Sequence, residues 1–438
     1  MLPNITMRFL LLLLAWLSIG SCGASKRAQQ QTDSTPYLQL NFKVPAKHNA
    51  VALELHSLET GPVLLSRNLD NLSGKVELQD SLSQVMDSPM VAFVQMEDGS
   101  LWTARLENPE LISGNIQSFH FDLLELPLDV PQSKLRAESL RQQNLPIASG
   151  EYSGITLVKD DVYATVHDKS SGGGIHFFKI PISASGIVGE VGEKEAPGNA
   201  GLPGGRDNED IVYVSSSETL FVSSEGDQQI REYSLEGQPT GRSLQVPEDL
   251  KAIQPNAGFE ALAYDAANGY FWAATEKSLK EEGLHERMIR LQRFNGRTLE
   301  ADARYLYLMG NPVVSAEQAA GAQAYVFGLS AMTVLPDGRL ITLEREVYVP
   351  GGSIFEKALG AFTLSTLYVV DPLKDKAGIL QKQQLCRVVT SALNLANYEG
   401  MCLGPKLSGG RQTILLLADS QNGSGGLTGE YLHLIAIR

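Results

Sequence analysis

The fold of this chain is decided by a stretch that recurs along it, and the clearest copy spans residues 256–276, NAGFEALAYDAANGYFWAATE. It opens with Glu260, a small residue and a leucine, and continues as an apolar segment. It turns at Asn268-Gly269 and resumes as a second apolar segment that ends at Glu276. Asn-Gly between two apolar runs is a strong signal for a tight β-turn. The stretch therefore predicts a β-hairpin with an acid at each open end.

Related units recur after residue 150, roughly every 50 to 70 residues, a period that indicates a repeat architecture. Each opens with an acid or a serine, and the opening triplets are Ser153-Gly154-Ile155, Glu209-Asp210-Ile211, Glu260-Ala261-Leu262, Ser330-Ala331-Met332 and Glu399-Gly400-Met401. Each closes its second segment with an acid, and these are Asp168, Glu225, Glu276, Glu344 and Asp419. A third apolar segment follows each hairpin. We predict an all-β fold, a β-propeller with five countable blades and a sixth possible in the longer gaps after residues 295 and 372.

The paired acids predict a site. In an antiparallel hairpin the first residue of one strand lies beside the last residue of the other, about 5 Å away. The first strand of each blade lines the axis of a propeller, so the pairs converge on one mouth of the channel. Carboxylates without a Cys/His cluster favour Ca²⁺ or Mg²⁺ as the ligand. The predicted metal ligands are Asp168, Glu225, Glu276, Glu344, Glu399 and Asp419, with Glu209 and Glu260 as candidate catalytic carboxylates.

Basic residues stand beside these acids in the sequence, and they are Lys169, Arg206, Lys277 and Arg345. A rim that mixes cations with metal-binding acids suits a small phosphorylated or anionic ligand. We predict that these four residues bind phosphate. The alternative is that the acids accept backbone N–H groups between blades while the bases neutralise them.

Composition excludes several classes of protein. Of 438 residues, 43% are hydrophobic and 20% are charged, which is typical of a folded globular chain. The formal net charge of −14 argues against nucleic-acid binding, because that function needs a concentrated basic face. We expect a monomer.

The amino terminus predicts export. An apolar run over residues 9–19 has the length of a signal-peptide core and is too short to span a bilayer. It ends in Ile19-Gly20-Ser21-Cys22, which resembles a bacterial lipobox and makes Cys22 the predicted lipidation site. An ordinary secretory peptide with an incidental cysteine is the alternative. We expect a protein of the bacterial cell envelope that is anchored to a membrane by lipid.

The rest of the chain divides by composition. Residues 1–21 are the predicted signal peptide and residues 22–36 a polar tether. Residues 37–126 show short alternating segments that predict a small β-sandwich-like domain. The Pro-punctuated segment 127–147 is interpreted as a linker, and 148–438 as the propeller. Cys386 and Cys402 are predicted as buried thiols, with a disulfide as the alternative in an oxidising compartment.

Four stretches resemble the phytase-like (esterase-like phytase) family of exported bacterial proteins, and they are residues 151–155, 256–263, 335–340 and 397–401. The resemblance covers about residues 148 to 438 and implies a β-propeller, a phosphoester hydrolase and calcium as the metal. The chain departs from the pattern at Ser153 and Ser330, where other units carry Glu, and at Asp210 and Ala261, where others carry Gly.

Two functions follow from these observations. The first is a Ca²⁺-assisted phosphoric ester hydrolase that acts at the acidic channel mouth. The second is a propeller without catalysis that binds a ligand or a protein in the envelope and holds any metal structurally.

Overall fold

The computed structural model describes most of the chain after residue 36. The described residues are 37–57, 63–81, 89–107, 109–113, 116–126, 130–145, 150–167, 174–193, 200–202, 207–251, 257–279, 287–374, 379–391, 394–420 and 428–438. The predicted signal peptide, the tether and Cys22 lie outside them.

The first part of the chain forms nine short strands. They are β1 (Tyr37–Lys43), β2 (Ala50–Ser57), β3 (Val63–Leu72), β4 (Lys75–Ser81), β5 (Met90–Met96), β6 (Leu101–Leu106), β7 (Glu110–Ser113), β8 (Ile116–Phe121) and β9 (Leu124–Leu126). One sheet has the order β4-β1-β8-β7 and the other the order β3-β2-β5-β6-β9. Alternate apolar residues of both sheets, such as Leu40, Phe42, Leu53 and Val94, share one core. This is the small β domain that the alternating pattern predicted.

The remaining strands begin with β10 (Ala137–Asn144), β11 (Tyr152–Lys159), β12 (Val162–His167), β13 (Gly174–Lys179), β14 (Gly192–Glu193) and β15 (Ala200–Gly201). They continue with β16 (Asn208–Val214), β17 (Thr219–Ser224), β18 (Gln229–Ser234), β19 (Pro239–Ser243), β20 (Phe259–Asp265), β21 (Tyr270–Thr275), β22 (Met288–Asn295) and β23 (Ala301–Leu308). The last are β24 (Ala322–Val334), β25 (Leu340–Pro350), β26 (Phe362–Val370), β27 (Lys382–Ser391), β28 (Asn397–Lys406), β29 (Gln412–Asp419) and β30 (Tyr431–Ile437).

These strands form antiparallel sheets arranged in a ring. In the described residues the sheet orders are β11-β12-β13-β14, with β15 also on β13, then β16-β17-β18-β19, β20-β21-β22-β23, β24-β25-β26-β27 and β10-β30-β29-β28. The first strands β11, β16, β20, β24 and β28 each contact the next, and β28 contacts β11. A closed ring of first strands is the arrangement of a β-propeller, as predicted. The gaps after residues 295 and 372 supply β23 and β27, the fourth strands of existing sheets.

The segment interpreted as a linker contains a strand of the ring. β10 pairs antiparallel with β30 and thereby provides the outer strand of the sheet whose other strands end the chain. Ser139 Oγ of β10 lies 2.8 Å from His433 Nε2 of β30. Residues 137–144 therefore belong to the propeller, and the linker interpretation fails for them.

Helices are few among the described residues. The two α-helices are α1 (Ala316–Ala320) and α2 (Ile354–Gly360), each opened by a serine that forms a capping box. Short 3₁₀ turns occur at Glu248–Lys251, Pro372–Lys374 and Ser408–Gly410. In the part of the chain that is described, no helix has the length and apolar character needed to cross a membrane.

The small β domain packs against the propeller through buried residues. Val91 and Phe93 of β5 share an apolar cluster with Met288 of β22 and Leu306 of β23. Beside this cluster, the buried Arg290 donates from Nη2 to the Ser57 carbonyl at 3.1 Å. Apolar contacts of this kind fix two domains more firmly than a flexible tether does.

Candidate metal centre at the channel mouth

The opening acids occupy irregular positions of the first strands. Register shifts at Phe259/Ala261, Leu329/Ala331 and Tyr398/Gly400 leave Glu260, Ser330 and Glu399 as bulged residues. A similar shift between Asn208 and Ile211 contains Glu209. A β-bulge increases the local twist and redirects a side chain, which is how a strand edge presents a functional group. All four bulge residues are buried.

The closing acids follow the second strands, with one exception that corrects the sequence prediction. Glu225 follows β17 and Glu276 follows β21, one residue after their pairs Asn208↔Ser224 and Phe259↔Thr275. In the fourth sheet Leu329 corresponds to Phe259, and its partner in β25 is Glu344. Glu344 therefore corresponds to Thr275, and the next residue, Arg345, takes the closing position that Glu276 has in the third sheet. A shift of one residue along a strand moves a side chain to the opposite face. The prediction that Glu344 is a metal ligand at the mouth is therefore wrong.

Glu344 instead lies between the third and fourth sheets of the ring. Its carboxylate accepts from Tyr307 Oη at 2.5 Å and from the Gly310 N–H at 2.8 Å. Lys382 Nζ forms a close ion pair with the same group. These partners satisfy Glu344 away from the mouth.

Arg345 is the cation among the mouth acids. Its Nη2 donates to Glu276 at 3.1 Å, and its Nη1 contacts the Glu399 carboxylate and donates to Asn397 Oδ1 at 3.2 Å. Burial by itself lowers the pKa of Arg345, but the carboxylates of Glu276 and Glu260 outweigh that effect and raise its pKa. Arg345 therefore neutralises part of the negative charge of Glu276 and Glu399. Its buried Nε–H has no hydrogen-bond acceptor among the described residues.

A cluster of carboxylates lies at the ends of β16 and β17. Asp207, Glu209 and Glu225 each offer an oxygen, and these atoms lie within 4.8 Å of one another. Glu225 Oε1 also accepts the Gly258 N–H of the next sheet at 2.6 Å, which holds this side chain in place. Three carboxylates at this spacing, without a Cys or His in the cluster, are a donor set for a hard divalent cation. The chain thus contains an acidic cluster that could hold a metal ion, formed by the predicted ligand Glu225, the predicted catalytic acid Glu209, and Asp207, which was missed.

The remaining mouth residues connect neighbouring sheets. Ser153 Oγ donates to Glu399 Oε2 at 3.2 Å, and Ser330 Oγ donates to the Tyr398 carbonyl at 3.1 Å. Lys277 Nζ lies 3.4 Å from Glu276 Oε2 and is partly exposed. Asp419, which is fully buried, ends β29 at the position that Glu276 holds after β21. The serines that replace acids in two units thus act as links between sheets.

Asp210 has a separate, structural position. Its two carboxylate oxygens accept the backbone N–H groups of Ile211 at 2.8 Å and of Leu262 in the next sheet at 2.7 Å. Complete burial raises the pKa of Asp210 well above its usual range, and these backbone bonds offset only part of that rise. The matching Gly154 in the preceding sheet has no room for a side chain, because an added Cβ would lie 2.5 Å from Asp210 Oδ1. Small residues at this position reflect close approach of the first strands.

Three predicted site residues, Asp168, Lys169 and Arg206, lie outside the described residues. Cys386 and Cys402 are free thiols on strands of different sheets. Burial raises the pKa of Cys386 to about 12 and that of Cys402 further, so both remain protonated.

Sequence reasoning missed Asp207, although it stands directly before the opening position Asn208-Glu209. It also predicted that Arg345 binds phosphate and did not foresee that Arg345 forms ion pairs with Glu276 and Glu399. The second point had no signal in the sequence, because it depends on the register of β25, which only the assembled sheet shows.

A family model described as Phytase-like, esterase-like activity of phytase, matches residues 147–421. No curated protein matches this chain. Among solved structures, PQQ-bound aldose sugar dehydrogenase from Streptomyces coelicolor is 13% identical, with 89% of this chain and 100% of that chain covered and a TM-score of 0.33. The β-propeller domain of Cps50 (Swd1) from Myceliophteria thermophila is 10% identical, with 69% and 100% covered and a TM-score of 0.30. Streptogramin B lyase is 13% identical, with 69% and 98% covered and a TM-score of 0.29.

Proposed function

This chain belongs to the phytase-like family, and from that premise we propose that it is a Ca²⁺-assisted phosphoric ester hydrolase whose site is the acidic mouth of the propeller. The observation that carries the proposal is the cluster of Asp207, Glu209 and Glu225, whose oxygens lie within 4.8 Å of one another. Ca²⁺ takes six to eight oxygen ligands and accepts irregular carboxylate geometry, so this donor set fits it.

Charge supports a bound cation. The described mouth holds the carboxylates of Asp207, Glu209, Glu225, Glu260, Glu276, Glu399 and Asp419, whereas its cations are Arg345 and Lys277. A phosphate ester is itself anionic, so its binding beside these carboxylates is helped by added positive charge. Ca²⁺ at the Asp207 cluster would reduce the local negative charge and would polarise the phosphoryl group.

The residues of the chain have distinct tasks in this proposal. Lys277 is partly exposed at the rim and can neutralise a phosphate oxygen as the ester enters. The Nε–H of Arg345 provides a buried donor within electrostatic range of Glu209, a member of the Asp207 cluster. Glu260, which is buried and raises the pKa of Arg345, is the proposed general base that would accept a proton from an attacking water.

The cellular setting is part of the proposal. The apolar run before Cys22 supports export and lipid attachment, so the enzyme would act at a membrane of the cell envelope on small phosphorylated substrates. The acidic net charge supports a monomer that does not bind nucleic acid. A Cys22→Ala variant that fractionates with membranes and keeps the mass of the lipidated protein would contradict the anchor.

Turnover tests the proposal. The chain without residues 1–36 should hydrolyse p-nitrophenyl phosphate when Ca²⁺ is supplied and lose that activity with a chelator. Glu209→Gln should lower kcat by roughly a hundredfold or more, because it removes both a metal ligand and a candidate catalytic carboxylate. The matched control is Glu232→Gln, a buried acid of the same sheet that binds Arg242 at 3.1 Å. Turnover that is indifferent to Ca²⁺ and to Glu209→Gln would overturn the proposal.

A second function is favoured by a specific observation, namely that several mouth acids already hold neighbouring sheets together. Glu225 accepts the Gly258 N–H, and Glu276 and Glu399 share Arg345. A propeller that binds a ligand or a protein in the envelope, with a structural metal, fits these contacts as well. Ca²⁺ binding without turnover of any phosphate ester, together with an unchanged fold, would favour it over the hydrolase.

A further inference from the structure

A second cavity lies between the small β domain and the propeller, away from the channel mouth. Its volume is about 540 Å³, and both domains line it. From the β domain come Glu54 and Phe93, and from the propeller come Arg287, Tyr368 and Lys382. Cavities of 300–1,000 Å³ at domain interfaces are typical sites for small organic ligands.

One wall of the cavity is apolar. Phe93, Leu101 and Leu126 line it from the β domain, and Ile379 and Leu380 face it from the propeller. Phe93, Leu126, Ile379 and Leu380 are buried, so they are held by their neighbours before any ligand binds. Such a wall favours the apolar part of a ligand, because its burial releases ordered water from both surfaces.

The other wall is basic. Arg287, Lys382 and Arg387 line it, and Glu54 is the one acid among the described lining residues. Glu54 is engaged by His56 Nε2 at 3.0 Å, and Lys382 is paired with Glu344. Neither Arg287 nor Arg387 forms an ion pair with a described carboxylate. In a chain with a net charge of −14, this is a local excess of positive charge.

The basic wall is built as a rigid corner. Arg287 Nη1 donates to the carbonyls of Met309 at 3.2 Å and Gly310 at 2.7 Å. Lys382 Nζ lies 4.1 Å from the ring centroid of Tyr368, and Arg387 is close enough to the Tyr368 hydroxyl to influence its pKa. Burial lowers the pKa of Arg287, and the nearby Glu344 offsets part of that effect. An anion bound here would stabilise the charged form of Arg287, which burial disfavours.

From the apolar wall, the basic corner and the size of the cavity, we propose that it binds a small organic anion with an apolar body and one carboxylate or phosphate head. The head contacts Arg287 and Arg387, and the body lies on Phe93 and Leu380. The site is independent of the proposed hydrolase activity, because none of the mouth carboxylates lines it.

Calorimetric titration of the intact chain with 1-naphthoate, 1-naphthyl phosphate and the neutral 1-naphthamide tests the proposal, with a chelator present so that the proposed hydrolase site does not turn over the phosphate ester. We expect saturable binding of at least one anion, with the amide roughly tenfold or more weaker. The anion with the higher affinity shows whether the site prefers a carboxylate or a phosphate head group. Absence of heat with both anions, up to their solubility limits, would overturn the proposal, as would equal affinity for the amide.

Variants locate the site. Arg287→Gln and Arg387→Gln should each weaken binding of the preferred anion by roughly ten- to hundredfold, whereas Arg411→Gln, on the last sheet of the ring, should not change it. Ala52→Leu fills part of the cavity without touching the basic corner and should also weaken binding. Unchanged melting temperatures would show that each variant folds. Undiminished binding in both the Arg387→Gln and the Ala52→Leu proteins would contradict the assignment.

Discussion

At the residue scale, Arg345 stands where the other units of the ring carry an acid, and it bonds Glu276 and Glu399 from the sheets on either side. All three side chains are buried. Breaking a buried ion pair by removing one partner costs more than the pair contributes, because a charge remains unpaired in a medium of low polarity.

Arg345→Met should therefore lower the free energy of unfolding by about 3–5 kcal/mol. Urea denaturation at neutral pH measures this loss. The control is Arg242→Met, whose partner Glu232 is buried but whose own side chain is half exposed, so its loss should be clearly smaller. Similar losses for the two variants would contradict the central position of Arg345.

Gly258 supports the carboxylate cluster through its lack of a side chain. An added Cβ would lie 2.7 Å from Glu225 Cγ and 2.3 Å from Gln228 Nε2, so Glu225 would have to move. Gly258→Ala should weaken Ca²⁺ binding by about tenfold, which is the effect of displacing a supporting contact of a metal ligand. Calorimetric Ca²⁺ titration measures it. Gly192→Ala is the control, because its Cβ would meet nothing within 4 Å; equal Ca²⁺ affinities for the two variants would count against the role of Glu225.

At the scale of elements, β10 completes a sheet whose other strands come from the opposite end of the chain. A chain that begins at residue 130 keeps β10, and one that begins at residue 148 loses it. Both lack the β domain, and they differ in β10 and in the backbone bonds that Pro131 and Ser133 form with Gln384. We expect the shorter chain to melt at a lower temperature and to aggregate, because the edge of β30 is left unpaired. Equal melting curves for the two chains would show that β10 does not close the ring.

The sequence could predict hairpins but not every partner. Asn268-Gly269 and the apolar runs around it determine a local turn, and the structure has it between β20 and β21. β10 escaped prediction because AESLRQQN is polar, largely solvent-facing and pairs with residues about 290 positions later. The Glu344 error has a similar origin, since nothing local in the sequence of β25 marks which of Glu344 and Arg345 follows the last paired residue. Placement of single side chains depended on register, which only the assembled sheets show.

At the scale of the whole molecule, buried histidines make stability depend on pH. Burial lowers the pKa values of His56, His176 and His433 to about 4. Unfolded histidine titrates at about 6.5, so between these values the unfolded chain binds more protons than the folded one. The contribution of these three histidines to stability is therefore fully present above about pH 6.5 and declines as the pH falls toward 4.

His433→Gln should remove part of this decline, by roughly 2–3 kcal/mol at about pH 4. Urea denaturation of both proteins across this range measures the difference. The exposed His120→Gln is the control and should keep the slope of the wild type. A His433→Gln protein whose stability falls as steeply as that of the wild type would contradict the pH assignment.

The central claim is that Asp207, Glu209 and Glu225 form a Ca²⁺ site, and the most direct test is the melting temperature of wild type and Glu209→Gln with Ca²⁺ and with a chelator. A ligand that binds the folded state stabilises it by about 2.7 kcal/mol at a hundredfold excess over Kd. We expect Ca²⁺ to raise the melting temperature of the wild type and Glu209→Gln to abolish that rise. In the chelator the substitution should cost much less, because relief of repulsion among the acids offsets the loss of its own contacts. An unchanged wild-type melting temperature with Ca²⁺, or the same loss for Glu209→Gln in both conditions, would contradict the claim.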